Sequence, residues 1–142
     1  MTKVEPCTNA ACLSECLDLR HTVFVEEQGV PVDMEVDEHD HTDALHMMIR
    51  HGGTVVGTGR VVPMGETAKI GRLAVAASVR GQGLGKKLVL ALVQHAKESG
   101  FHTAKLDAQV TAIRFYESLG FSCVGEEFHD AGIPHKSMIL LL

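Results

Sequence analysis

Three observations predict a one-domain α/β (α+β) fold, with a mixed sheet and helices on both faces. The chain has 142 residues, enough for a single core. It is 45% hydrophobic and 22% charged, the proportions of a globular domain. One amphipathic helical stretch lies between short apolar runs at 70–75 and 103–108, a crossover that joins parallel strands, while the runs nearer both ends read as antiparallel neighbours. The net charge of −5, from 13 basic and 18 acidic residues, argues against wholesale nucleic-acid binding. Residues Met1–Pro6 show no apolar signal core and no apolar run reaches ~18 residues, so a cytoplasmic protein without a membrane segment is expected.

In chain order, Thr8 or Asn9 caps a helix expected over 9–26, with Leu13, Leu17, Arg20 and Phe24 spaced for two faces. Cys7, Cys12 and Cys16 fit neither a zinc-ribbon pair nor a disulfide framework. Cys12 and Cys16, one helical turn apart, are expected to pack as small apolar groups. Between Glu26 and Asp43 stand eight carboxylates and no Lys or Arg, read either as a solvated loop or as an electrostatic collar for a cationic amine. His39, His41 and His46, interleaved with Asp37, Asp40 and Asp43, match no metal geometry, and no metal is expected.

Runs 44–49 and 54–62 form two strands joined by a turn with Gly52-Gly53 at its tip. Gly57 and Gly59 inside the second imply a bulge or a close backbone approach. After the strand at 70–75 comes a glycine-rich loop, then a helix with Leu84, Leu88, Leu92 and Ala96 on one face, stopped by Gly100. A strand at 103–108, a short helix at 111–119 and strands at 121–125 and 136–142 complete the chain.

The loop reads Arg80-Gly81-Gln82-Gly83-Leu84-Gly85-Lys86. A helix that opens out of three glycines presents unpaired N–H groups and its positive dipole end, which makes an anion site suited to phosphate. The dinucleotide fingerprint is excluded because the third glycine comes one residue early. The P-loop is excluded because Arg80 and Lys87 stand where Gly and Ser or Thr are required.

This loop resembles the acetyl-CoA pyrophosphate loop of the GCN5-related N-acetyltransferase (GNAT) family. Gly71-Arg-Leu-Ala-Val75 before it and Phe115-Tyr116-Glu117-x-x-Gly120-Phe121 after it extend the resemblance across nearly the whole chain. Val23-Phe-Val-Glu-Glu-Gln28, Leu106-Asp-Ala-Gln109 and Asp130-Ala-Gly-Ile-Pro-His135 are similar to a bacterial subgroup of small members. The resemblance implies a mostly antiparallel sheet whose central parallel pair splays apart. It implies that the backbone of Leu73, Ala74 and Val75 bonds the pantetheine arm of acetyl-CoA, and that Arg80, Gly81, Gln82, Gly83, Leu84, Gly85 and Lys86 hold its pyrophosphate. An amine acceptor of unknown identity would then attack the thioester directly, with Tyr116 as the acid toward the leaving thiolate.

For the base, Glu27 comes first and His135 second, with solvent alone as a further alternative. Arg72 is read either as structural or as a contact for an acidic group on the acceptor. A homodimer is plausible for the family, and the apolar 138–142 end would either cover a partner or form a buried last strand. Two function classes are carried forward: an N-acetyltransferase acting on a primary amine, and a non-catalytic acyl-CoA-binding sensor or scaffold. A longer acyl donor is the variant within the first class.

Overall fold

The computed structural model describes residues 3–142. Seven strands form one sheet in the order β1-β2-β3-β4-β5-β7-β6: β1 Val4–Cys7, β2 Leu45–His51, β3 Thr54–Met64, β4 Thr67–Val75, β5 Thr103–Gln109, β6 Ser122–Asp130 and β7 Ile133–Leu141. Every neighbouring pair is antiparallel except β4 with β5. Helix α1 (Ala10–Arg20) runs on into wider π-helical turns over His21–Glu27; α2 spans Val32–Glu35, α3 Leu84–Glu98 and α4 Ile113–Ser118. Among the described residues no helix is long and apolar enough to cross a membrane.

Alternation along β2 and β3 sends successive side chains to opposite faces, and each face meets its own helix. Met48 and Val55 pack with Cys12, Cys16, Leu19 and Val23 under α1. Ile49 and Val56 pack with Leu84 and Leu88 of α3. Further along the α3 face, Leu92 and Ala96 join Ile70, Leu106, Phe121 and Met138 in the largest cluster. Strand β7 lies inside the sheet with Met138 fully buried, so the chain end is a core strand.

Three expectations are corrected. Strand β1 pairs along β2, a segment the sequence left unassigned. Cys7 and Cys12 are joined by a disulfide, because Asn9 caps α1 through its Oδ1 and folds the chain so that the two Cα atoms lie 5.8 Å apart. Cys12 and Cys16 both pack in the apolar layer between α1 and the sheet, as expected, but only Cys16 is a free thiol there. Residues 128–135 are also not a long loop: β6 and β7 extend to a two-residue turn, Ala131-Gly132, with φ of 52° and 77°, the left-handed pair that a tight hairpin requires.

Gly57 and Gly59 both mark close approaches, as their positions imply. A Cβ on Gly57 would lie 3.1 Å from Leu88, and one on Gly59 2.7 Å from Leu73 and 2.9 Å from Leu92. Opposite Gly59 the register slips, from Thr58↔Ala74 to Arg60↔Gly71, so β4 carries an extra residue there.

The acidic segment is a solvated run only in part: Glu26, Asp33, Glu38 and Asp43 are exposed, and the others are paired with arginines. Glu35 and Asp40 are buried against Arg20, itself 1% exposed. Arg20 donates from Nε to Glu35 at 2.6 Å and from Nη1 and Nη2 to Asp40 at 2.7 and 3.0 Å. Arg60 of β3 donates to Asp40 at 2.8 Å and twice to Asp37 at 2.7 Å. Asp37 and Asp40 also form a reciprocal capping box at the turn 38–41. Four of the eight carboxylates are thus held by arginines within the fold: these three and Glu27, paired with Arg80.

Removing Arg20 leaves Glu35 buried without a counterion and Asp40 with Arg60 alone, so Arg20→Ala should lower unfolding free energy by roughly 3–5 kcal/mol in urea denaturation. The same ion pairs hold Asp37 and Asp40 below the usual carboxylate range, while burial holds His46 below the usual histidine value. In each case the unfolded chain takes up protons first. The contribution of these three groups should therefore be complete above about pH 6.5, decline as His46 is drawn toward protonation, and fall steeply below about pH 4.

Candidate active site

Strands β4 and β5 are hydrogen-bonded neighbours for only three residue pairs, Thr67↔Thr103 to Lys69↔Lys105. Beyond them the strands part. The bulge in β4 turns that strand away, while β5 stays paired to β7 as far as Gln109↔His135. The opening is a cleft of about 570 Å³, walled by β4 residues Ile70–Leu73, by Leu106 and Asp107 of β5, by the π-helical turn and α2, and by Tyr116 and the β6–β7 turn.

The N-terminus of α3 follows the end of β4 through the turn 77–79, and a Cβ built at Gly85 would lie 3.8 Å from the Phe115 ring, next to Tyr116. Gly81 and Gly83 have φ of 82° and 79°, and Gly83 is the helix cap without any side-chain bond. The first helical bond runs from Lys87 N–H to the Gly83 carbonyl, so the preceding N–H groups point outward from the helix end. No atom lies within 4 Å of a Cβ built at Gly81 or Gly83. Glycine is required there for its backbone and leaves open space in front of the N–H groups. That cradle fits a phosphate by charge, by direction and by room.

Backbone polarity along β4 sorts the three residues carried over from the resemblance. The Ala76 N–H donates to Val56 of β3, so Ala74, two residues earlier, also turns its polar groups toward β3. Leu73 and Val75 turn theirs the other way, toward the gap. The Val75 carbonyl accepts from Arg80 Nε at 3.0 Å.

Glu27 does not line the cleft. Its carboxylate takes Arg80 Nη2 at 2.7 Å and so fixes the entry of the glycine loop. His135 does line it: Nδ1 lies 2.7 Å from the Ile133 carbonyl and the ring stacks on Phe128. A neutral ring that donates from Nδ1 carries its lone pair on Nε2, the tautomer a base requires.

Tyr116 also lines the cleft, edge-on to Phe115 and Phe121. Burial pushes its hydroxyl up to about 12. Against a thiolate reference near 8.5, full proton transfer from it would be uphill by about 5 kcal/mol. Tyr116 is therefore suited to donate a hydrogen bond to developing charge rather than to surrender its proton early.

Reading the sequence passed over Asp130, Gln28 and Gln109 at the cleft, although each lies in a quoted subgroup motif. Gln109 donates to Gln28 at 2.9 Å and ties the end of β5 to the turn after α1. Among the described residues no cluster of three His, Cys, Asp or Glu side chains could hold a metal ion.

A family model described as an acetyltransferase (GNAT) domain matches residues 11–142. A Bacillus subtilis (strain 168) protein whose name marks it as a candidate acetyltransferase is 42% identical over 137 residues, 95% of this chain and 93% of its own. The crystal structure of an acyl-CoA N-acyltransferase from Pseudomonas aeruginosa superposes with a TM-score of 0.90 at 29% identity, covering 99% of both chains. An aminoglycoside 6′-N-acetyltransferase complexed with coenzyme A has the same fold, with a TM-score of 0.78 at 20% identity over 98% of this chain and 96% of its own.

The chain has one tyrosine and no tryptophan, so near-ultraviolet absorbance reports phenolate formation at Tyr116 alone. The folded protein should titrate near 12 and the urea-unfolded chain near about 10. Because the folded value is the higher, this group's contribution to stability should be lost as pH rises between the two.

Proposed function

The chain belongs to the acetyltransferase (GNAT) family, and from that premise we propose that it transfers the acetyl group of acetyl-CoA directly to a primary amine, without an acyl-enzyme. It is an acyltransferase of the acyl-CoA-dependent kind. The observation that carries the finer reading is the parting of β4 from β5 after Lys69↔Lys105, with an open helix N-terminus following β4 and Tyr116 and His135 on the cleft walls. A pseudo-strand seated on Leu73 and Val75 restores the bonds the sheet gives up there.

Acetyl-CoA, when bound, supplies the activated thioester. The N–H groups from Gly83 to Lys86 meet its pyrophosphate, and Arg80, braced by Glu27, positions that loop. His135 Nε2 takes the proton from the incoming ammonium, since only the neutral amine is nucleophilic. The Tyr116 hydroxyl hydrogen-bonds the departing sulfur. A sensor or scaffold without turnover would need the loop but neither of these two groups.

Titration calorimetry with acetyl-CoA, with NAD and ATP as controls, should show binding selective for acetyl-CoA. Gly83→Val should weaken that binding by at least about tenfold, or 1.4 kcal/mol. Thiol release in the presence of a panel of primary amines completes the test; binding without release for any amine would favour the sensor. Glu27 and His135 separate in the same assay. Glu27→Gln should raise KM for acetyl-CoA and leave kcat nearly unchanged, whereas His135→Ala should lower kcat and leave KM for acetyl-CoA nearly unchanged.

A further inference from the structure

Two charged side chains that line the cleft have no strong partner of opposite sign. Arg60 is fully engaged with Asp37 and Asp40, and Lys69 stands 3.4 Å from Asp107. Arg72 differs. Its Nε donates to the Glu35 carbonyl oxygen at 3.0 Å, and its Nη2 lies a long 3.5 Å from the Met34 carbonyl and from Asp37, whose two oxygens already receive Arg60. Its Nη1 has no partner among the described residues, and the side chain is 29% exposed. Asp130, at the end of β6, likewise lines the cleft with no side-chain partner among the described residues.

The backbone points the same way. Arg72 has φ of 50°, a left-handed conformation costing roughly 1–2 kcal/mol for a residue with a Cβ. It sits in the β4 bulge beside a glycine, Gly71, that does not take the left-handed place. Strain kept at a bulge in a cleft indicates a side chain held for use. The burial of Arg72 and its repulsion from Arg60 and Arg20 make the positive charge costly there unless an anion arrives.

One unspent cation and one unspent anion face a mixed cleft that also carries apolar groups: Met34 is 50% exposed and Met64 56% exposed, and Val30, Val62 and Ile133 line its walls. We propose that the acceptor is an amino acid with an apolar side chain, its carboxylate gripped by the Arg72 guanidinium and its ammonium drawn to Asp130. The inference rests on the acetyltransferase reading of the same cleft. A single guanidinium fork matches the planar, singly charged carboxylate. Of the two protons the ammonium loses, one goes to His135 and the other leaves with the thiol, as the new C–N bond forms and the C–S bond breaks.

The test pairs amino acids with their decarboxylated amines, such as leucine with isopentylamine and phenylalanine with phenethylamine. Thiol release from acetyl-CoA is followed with the full chain. The amino acid of each pair should have the higher kcat/KM, by about tenfold or more, and the difference should lie mainly in KM. In Arg72→Gln the ratio within a pair should fall to near one, and Arg72→Lys should restore part of it; a ratio does not depend on how much of the variant is folded. Equal rates for both members in the native protein overturn this inference alone, as does an Arg72→Gln variant that depresses both members by the same factor. Acetylation of neither member of any pair, with thiol release still seen for other primary amines, also overturns this inference alone; failure of every amine to release thiol overturns the acetyltransferase reading with it.

Discussion

The buried ion pairs around Arg20 are the constraint on which the remaining architecture depends. Arg20 lies at the end of α1, Glu35 in α2, Asp40 in the following turn and Arg60 in the middle of β3. No buried side-chain polar atom among the described residues lacks a partner, so the charges can stay in the interior only while all these elements are docked together. Such a network contributes less to net stability than an apolar core of equal volume, and more to uniqueness: the segment between α1 and β2 has little apolar substance of its own. Its geometry comes from where the guanidinium donors point.

That arrangement delivers the wall of the cleft. With α2 fixed by Arg20, the Glu35 and Met34 carbonyls stand where Arg72 meets them, and Asp37 is turned toward Arg60. On the opposite side the sheet makes the opening by simple geometry. One extra residue in β4 and a continuous pairing of β5 with β7 cannot both be accommodated in a parallel ladder, so the ladder ends. Placing α3 at the end of β4 then sets a helix N-terminus beside strand groups that have no neighbour to bond.

Much of this was legible in the sequence where the signal is local. The loop 80–86, the helix that follows it and the hairpin at Gly52-Gly53 lie within a few residues of one another, and glycine spacing reports backbone directly. Tyr116 and His135 could be singled out because each sits in a short motif, and both line the cleft. What escaped depends on contacts across the chain. Arg20 and Glu35 are 15 residues apart and Arg20 and Asp40 are 20 apart, so the run of carboxylates looked uncompensated when its counterions were elsewhere. Glu27 was named from the subgroup motif after the first helix, and its bond to Arg80 was not legible because Arg80 lies 53 residues on. The disulfide followed from strand β1, which four residues including a proline barely announce.

The absence of a side chain at Gly59 reaches further than its own position. A Cβ there would press on Leu73 and Leu92 together, one in the strand that opens the cleft and one in the helix that begins at the glycine loop. Any replacement would force those two leucine side chains to shift behind the cleft. Variation among sequences that keep this packing should therefore be restricted at 59, a position that touches nothing the cleft accepts.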